Sequence, residues 1–228
     1  MKVKQYLEDI WNQQYPCPHG IVGWLAGERM VRQHRPETAW TLDLLDIQPA
    51  DTVLEVGCGA GQGIKLAAEK ASDGRVLGID LSEVMVRVAT RRNAQAVKAG
   101  RVALSQGNMT ALPFEDQHFD KIMTIHTFYF WSEPTVILAE IVRVLKPGGM
   151  CIITFTTGKV EETGLGHYQA ILEERMLPGM RNIGFTEVSI KHGPIARQYK
   201  NVAVIGRKEP LSICQPSDRK STRLNSSH

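Results

Sequence analysis

The stretch Glu55-Val56-Gly57-Cys58-Gly59-Ala60-Gly61-Gln62-Gly63 sets glycines at alternate positions directly behind a β-rich run, Asp51 to Val56. Glycine at a strand exit lets a ligand touch backbone where a Cβ would collide. Nineteen residues past Gly61, Asp80 closes the run Gly74-Arg75-Val76-Leu77-Gly78-Ile79-Asp80. A carboxylate at the exit of a second strand can accept hydrogen bonds from both hydroxyls of a ribose. Loop and acid together point to an adenosine-containing ligand. Farther on, His126-Thr127-Phe128-Tyr129-Phe130-Trp131 follows Ile125 at another strand end. Its rings could wall a planar or apolar substrate, and His126 could take a proton near neutral pH. The same run also fits packing beneath the next helix.

These groups meet only if the strands that carry them lie side by side. Residues 51–157 alternate strand and helix: 51–56 strand, 64–69 helix, 74–80 strand, then a long helix opened by Ser82 as N-cap. Strands over 101–105 and 119–125, a helix over 134–146 and a strand over 150–155 complete the series. Lys146-Pro147-Gly148-Gly149 stops that helix and turns into the last of these strands. A helix over 167–181 precedes a hairpin of 185–190 with 201–205. The expectation is an α/β, doubly wound, mostly parallel seven-stranded sheet with a terminal antiparallel hairpin and N-terminal helices. Residues 1–48 read as a helical cap, 49–210 as the ligand-binding domain, and 217–228 as a polar, disordered tail of non-native character.

Glycine spacing then separates the adenosine ligands. A dinucleotide fingerprint is G-x-G-x-x-G, but Gln62 stands three residues past Gly59 and Ile64 three past Gly61. Neither frame fits, which argues against the rival reading, an NAD(P)-dependent oxidoreductase. No G-x-x-x-x-G-K-[ST] occurs, which argues against a P-loop nucleotidase. The pattern Glu55-x-Gly57-x-Gly59-x-Gly61 resembles motif I of the class I S-adenosylmethionine-dependent methyltransferases. The resemblance extends over residues 36–207, through Ile79-Asp80-Leu81-Ser82, Gly107-Asn108-Met109-Thr110 and Leu145-Lys146-Pro147-Gly148-Gly149, the last typical of the small-molecule branch that includes quinone-biosynthesis enzymes.

That resemblance implies S-adenosylmethionine as cofactor and a small-molecule methyl acceptor. It implies that Gly57, Cys58, Gly59 and Gly61 pass beneath the methionyl part and ribose, and that Glu55 orients the loop or the ligand's ammonium. Asp80 would grip the ribose, Leu81 and Met85 would pack on adenine, and Asn108 and Met109 would border the base. The family usually has Asp where Asn108 stands. Ile125 and His126 would flank the methionyl group, with His126 and Tyr129 as catalytic candidates. Trp24, Met30 and Trp40 are candidates for a wall over the crevice, Trp11 and Tyr15 for a lid or core, and His167 and Tyr168 for the acceptor pocket. A non-catalytic cofactor-binding regulatory module is the other alternative.

Composition narrows the partners. The net charge of +3 falls to +1 without the tail, whose three basic residues outnumber one acidic, so no nucleic-acid footprint is expected. A [DN]-P-P-[YFW] run of base-modifying methyltransferases is absent at 125–128. Cysteines 17, 58, 151 and 214 show no C-x-x-C pair or zinc-like spacing, so reduced thiols, no metal and a cytoplasmic location are expected. Neither a signal peptide nor a membrane span is legible. Oligomeric state has no signature.

Overall fold

A computed structural model describes residues 20–161 and 171–210. The expectations for Trp11, Tyr15, His167, Tyr168 and the 217–228 tail lie outside the described residues, as does that for the Trp24 side chain. The described elements are α1 (Gly20–Gln33), α2 (Arg35–Leu45), β1 (Thr52–Val56), α3 (Gln62–Lys70), β2 (Arg75–Asp80), α4 (Glu83–Arg92) and α5 (Ala94–Lys98). They continue with β3 (Val102–Gln106), β4 (Phe119–Ile125), α6 (Pro134–Val144), β5 (Leu145–Lys159), α7 (Leu177–Asn182, entered through a wider π turn at Leu172–Met176), β6 (Phe185–His192) and β7 (Tyr199–Lys208).

Seven strands form one sheet in the order β3-β2-β1-β4-β5-β7-β6. Pairing is parallel from β3 to β5 and antiparallel at β5–β7 and β7–β6. Consecutive residues of the inner strands fall into different apolar clusters. Leu54, Ile122 and Ile153 pack in one, and Val53, Met123 and Ile152 in the other. A sheet covered on both faces has to be apolar at every position, which explains runs such as Val53-Leu54 and Ile152-Ile153. Glu55 breaks the run in β1, and it does so at the site. The strand order reverses between β1 and β4, and such a reversal opens a crevice at the carboxyl ends.

β5 is longer than the 150–155 expected. Leu145 already pairs with Phe119, the chain detours through Pro147 and Gly148 (φ 76°), and Met150 resumes pairing with Lys121. At the other end Lys159 pairs with Tyr199. The proline and glycine thus form a bulge within the strand instead of preceding it. Ser82 does cap α4, its hydroxyl accepting from Met85 N at 3.3 Å. No helix among the described residues is long and apolar enough to cross a membrane.

Candidate active site

The turn after β1 is fixed by hydrogen bonds from β2. Gly57 N and Cys58 N both donate to Ile79 O, at 2.8 and 3.1 Å. The Asp80 carboxylate then accepts from Gly59 N at 2.8 Å through one oxygen and from Ser82 N at 2.9 Å through the other. Acid and glycine turn are therefore one unit. Burial raises the Asp80 pKa, with the Ser82 and Gly59 N–H groups opposing it.

Gly57, Gly59 and Gly61 all have positive φ, at 74°, 50° and 78°, yet their surroundings differ. A Cβ on Gly59 would meet nothing within 4 Å, so its face looks into open space. On Gly57 it would lie 2.3 Å from Thr127 Cγ2, at the start of the segment after β4. On Gly61 it would strike Ala89 and Asn93 of α4 at 2.7–2.8 Å. Gly61 is absent from the cavity wall. The structure moves it from the ligand cradle, where sequence placed it, to a close helix contact. Gly63, unassigned from sequence, leaves room for the Glu55 carboxylate, 2.3 Å from its would-be Cβ.

The cavity at these strand ends measures about 810 Å³. It brings together Glu55, Gly57, Cys58, Gly59, Asp80, Leu81, Met85, Asn108, Met109, Ile125, His126 and Tyr129, every residue assigned from sequence to the cofactor or to catalysis except Gly61. The observations fit a bound nucleoside amino acid. The Gly59 face is open, Leu81 stays 54% exposed at the rim, and Glu55, 4% exposed, has an oxygen with no partner. Cys58 is buried and its thiol pKa is pushed up by burial and by Asp80 and Glu55, so it fills space and is no nucleophile.

Burial, opposed by the Ile64 backbone N–H and reinforced by the charge of Asp80, pushes the Glu55 carboxyl up to about 8. Unfolded, it titrates near 4.5. Between those values the unfolded chain has released a proton that the folded chain keeps, so this group makes stability fall as pH rises. Glu55→Gln removes that loss. Its stability relative to the parent is expected to grow by roughly 2–3 kcal/mol from about pH 5 to about pH 7.5. Chemical denaturation at both pH values measures it; parallel curves would show that Glu55 ionises normally.

The run after β4 divides. Phe128 and Trp131 are buried against the sheet, with Phe128 4.6 Å from the Phe155 ring, whereas Tyr129 and Phe130 line the cavity. His126 has φ 56°, unusual for a residue with a side chain, and is held by its N–H to Thr154 O at 2.8 Å. Its Nδ1 lies 3.2 Å from the Tyr129 hydroxyl, which accepts from Thr156 N and lies 3.4 Å from Thr156 O. Burial, together with the charges of His34 and Arg197 and against that of Glu37, takes the His126 pKa down to about 3. The imidazole is neutral at pH 7.

Sequence reasoning placed the N-terminal helices over the crevice but missed the residues that cover His126. α1 lies across α4, with Gly27 against Met85, and Glu28 pairs with Arg92. Met30 lines the cavity as expected. Trp40 instead packs on Gly193, 2.5 Å from its would-be Cβ, and is not in the wall. His34 stacks on His126 with ring centroids 4.0 Å apart, and Glu37 of α2 lies behind both, fully buried. Arg197, from the turn before β7, closes this end. No local spacing links 34, 37, 126 and 197, so only the fold could show them together.

Residues 54–153 match a family described as Methyltransferase domain. An uncharacterized methyltransferase, YdaC, of Bacillus subtilis is 28% identical over 198 residues, 87% of this chain and 99% of that protein. A demethylmenaquinone methyltransferase of Symbiobacterium thermophilum is 41% identical over 150 residues, 65% of this chain but 58% of that one, so the chain spans little more than half of that relative. In structure, a SAM-dependent methyltransferase from Aquifex aeolicus aligns with a TM-score of 0.63 at 23% identity, covering 78% of this chain and 93% of that one, which establishes the shared fold. The family match covers the turn after β1, Asp80 and the strand leading to His126. Over residues 54–153 the chain is thus similar to the methyltransferase-domain family, and it shares the fold of a SAM-dependent methyltransferase; methyl transfer from S-adenosylmethionine is the reaction these likenesses support.

Proposed function

We propose that the cavity holds both reactants in one hollow, the cofactor over Gly59 and Asp80 and the acceptor between α1 and the His126–Tyr129 wall. One observation carries this reading: the space facing Gly59 and the space facing His126, Tyr129 and Arg197 are a single cavity. Its roughly 810 Å³ is at the upper end of small-molecule sites. In this reading Glu55 meets the ligand's ammonium, Asp80 its ribose, and Leu81, Met85, Asn108 and Met109 surround its base. When bound, S-adenosylmethionine supplies a methyl group already activated as a sulfonium. The chain therefore contributes mainly by aligning the acceptor for in-line attack and excluding water. Tyr129, held by Thr156 and His126, and Phe130 form the acceptor-side wall. The setting is the cytoplasm, consistent with the free buried thiols of Cys58 and Cys151.

Calorimetry with S-adenosylhomocysteine, followed by mass spectrometry of a metabolite panel incubated with S-adenosylmethionine, tests this. Binding together with one compound that gains one methyl group is expected. Tight binding with no methylated product would favour the regulatory-module alternative, and NADH binding in its place would favour the oxidoreductase.

A further inference from the structure

We propose that His34, Glu37 and His126 form a divalent-cation site of the zinc class on the acceptor side of the cavity. Each offers one donor, and the three donor atoms all lie within 4.8 Å of one another. Glu37 Oε1 is 3.8 Å from His34 Nδ1 and 4.0 Å from His126 Nε2. A tetrahedral zinc ion with ligands at about 2.0–2.1 Å holds its donors about 3.4 Å apart, so these two pairs need close by only roughly half an ångström. Two imidazoles and a carboxylate are a donor set that leaves a coordination position open. His34 and His126 face the cavity, where that position would lie.

Two of the three donors have no hydrogen-bond partner among the described residues. Both oxygens of Glu37 and Nε2 of His126 are buried without a hydrogen-bond partner, and Glu37 is 0% exposed. Buried polar groups are nearly always satisfied, so three orphaned atoms aimed at one point call for a ligand. The far side of His126 is also prepared. Nδ1–H can donate to the Tyr129 hydroxyl and that hydroxyl to Thr156 O, which leaves the Nε2 lone pair turned to Glu37. Such onward hydrogen bonds are what orient a metal-bound imidazole. The left-handed backbone of His126 is the kind of strain that persists where a site demands it.

Arg197 fixes the charge balance. One guanidinium nitrogen lies 3.3 Å from His34 Nδ1 and 4.0 Å from Glu37 Oε1, so it supplies the positive charge when no ion is there. Its side chain is 41% exposed and can swing outward. A divalent ion beside one carboxylate and Arg197 leaves the site net positive. It would suit an acceptor that binds through an ionised oxygen, a phenol or enol. Such an acceptor loses its hydroxyl proton to solvent and forms a bond to the methyl carbon, the carbon–sulfur pair staying on sulfur. That role rests on the cavity reading above; binding of the ion does not.

Chelator-stripped full chain titrated with Zn²⁺ by calorimetry, with bound metal counted after dialysis, tests the site. One ion per chain is expected, weakened at least tenfold by His34→Ala, His126→Ala or Glu37→Gln. Arg197→Ala should bind as tightly as the parent or more so, because it removes a competing cation; a surface site elsewhere would not respond to any of these changes. Cobalt(II) should show the visible absorption of a four-coordinate centre in the parent and lose it in His34→Ala, a half-buried position whose change spares the core. Absence of stoichiometric binding, or equal binding by parent and His34→Ala, overturns the proposal. S-adenosylhomocysteine affinity measured on the same metal-free chain reports separately on the cofactor reading.

Discussion

Gly59→Val is expected to abolish S-adenosylhomocysteine binding, with a loss of at least a hundredfold, in a protein that still folds. Gly59 has φ 50° and its open face borders the cavity. Valine there incurs about 1–2 kcal/mol of left-handed strain. At this chain length that corresponds to a fall in Tm of only several degrees. Apart from its chain neighbours, nothing lies within 4 Å of a Cβ at this position, so the side chain sets out into open space and not into packed core. It enters the cradle. Gly100→Val is the matching control. Its φ is 73°, its would-be Cβ is equally unobstructed, and it is not part of the cavity wall. The two variants should lose similar stability by thermal melting, and only Gly59→Val should lose the ligand by calorimetry. Retained binding in Gly59→Val would mean that the turn is no platform for the cofactor.

The contrast between Gly59 and Gly61 shows where sequence reading stops. Alternate glycines after a strand announce a tight, exposed turn, but not which Cα faces a ligand and which faces a helix. Gly61 is fixed by Ala89 and Asn93, residues about thirty positions away. The strand series and Asp80 were legible because each is written locally, in apolar runs, turn residues and an acid at a strand end. β4 has the predicted bounds, Phe119–Ile125. β5 outran its prediction because Leu145 and Lys159 are strand residues only through their partners Phe119 and Tyr199. The cover over His126 was illegible for the same reason. Glu37 sits beside Pro36 and Thr38 in an ordinary-looking helix, and only tertiary packing makes it a buried carboxylate between two imidazoles.

Asp80→Ala is the second large effect, and its two consequences are expected to separate. In the folded chain the carboxylate accepts from Gly59 N and Ser82 N, so alanine leaves two backbone donors without their partner. An unsatisfied buried donor costs about 1–3 kcal/mol. Against that, the raised pKa shows that burial of this charge exceeds what the two N–H groups return, so removing it relieves part of the same cost. The net change in Tm should therefore be small. No such offset operates for the ligand. A ribose gripped by a carboxylate loses charged hydrogen bonds worth about 1.5–3 kcal/mol, which is roughly 10- to 150-fold in Kd. The same turn would also hold the methionyl part less firmly once Gly59 N is released. Calorimetry should thus show a Kd for S-adenosylhomocysteine raised at least tenfold while melting stays within a few degrees of the parent. Equal loss of both would mark Asp80 as a loop strut, and unchanged affinity would take it out of the site.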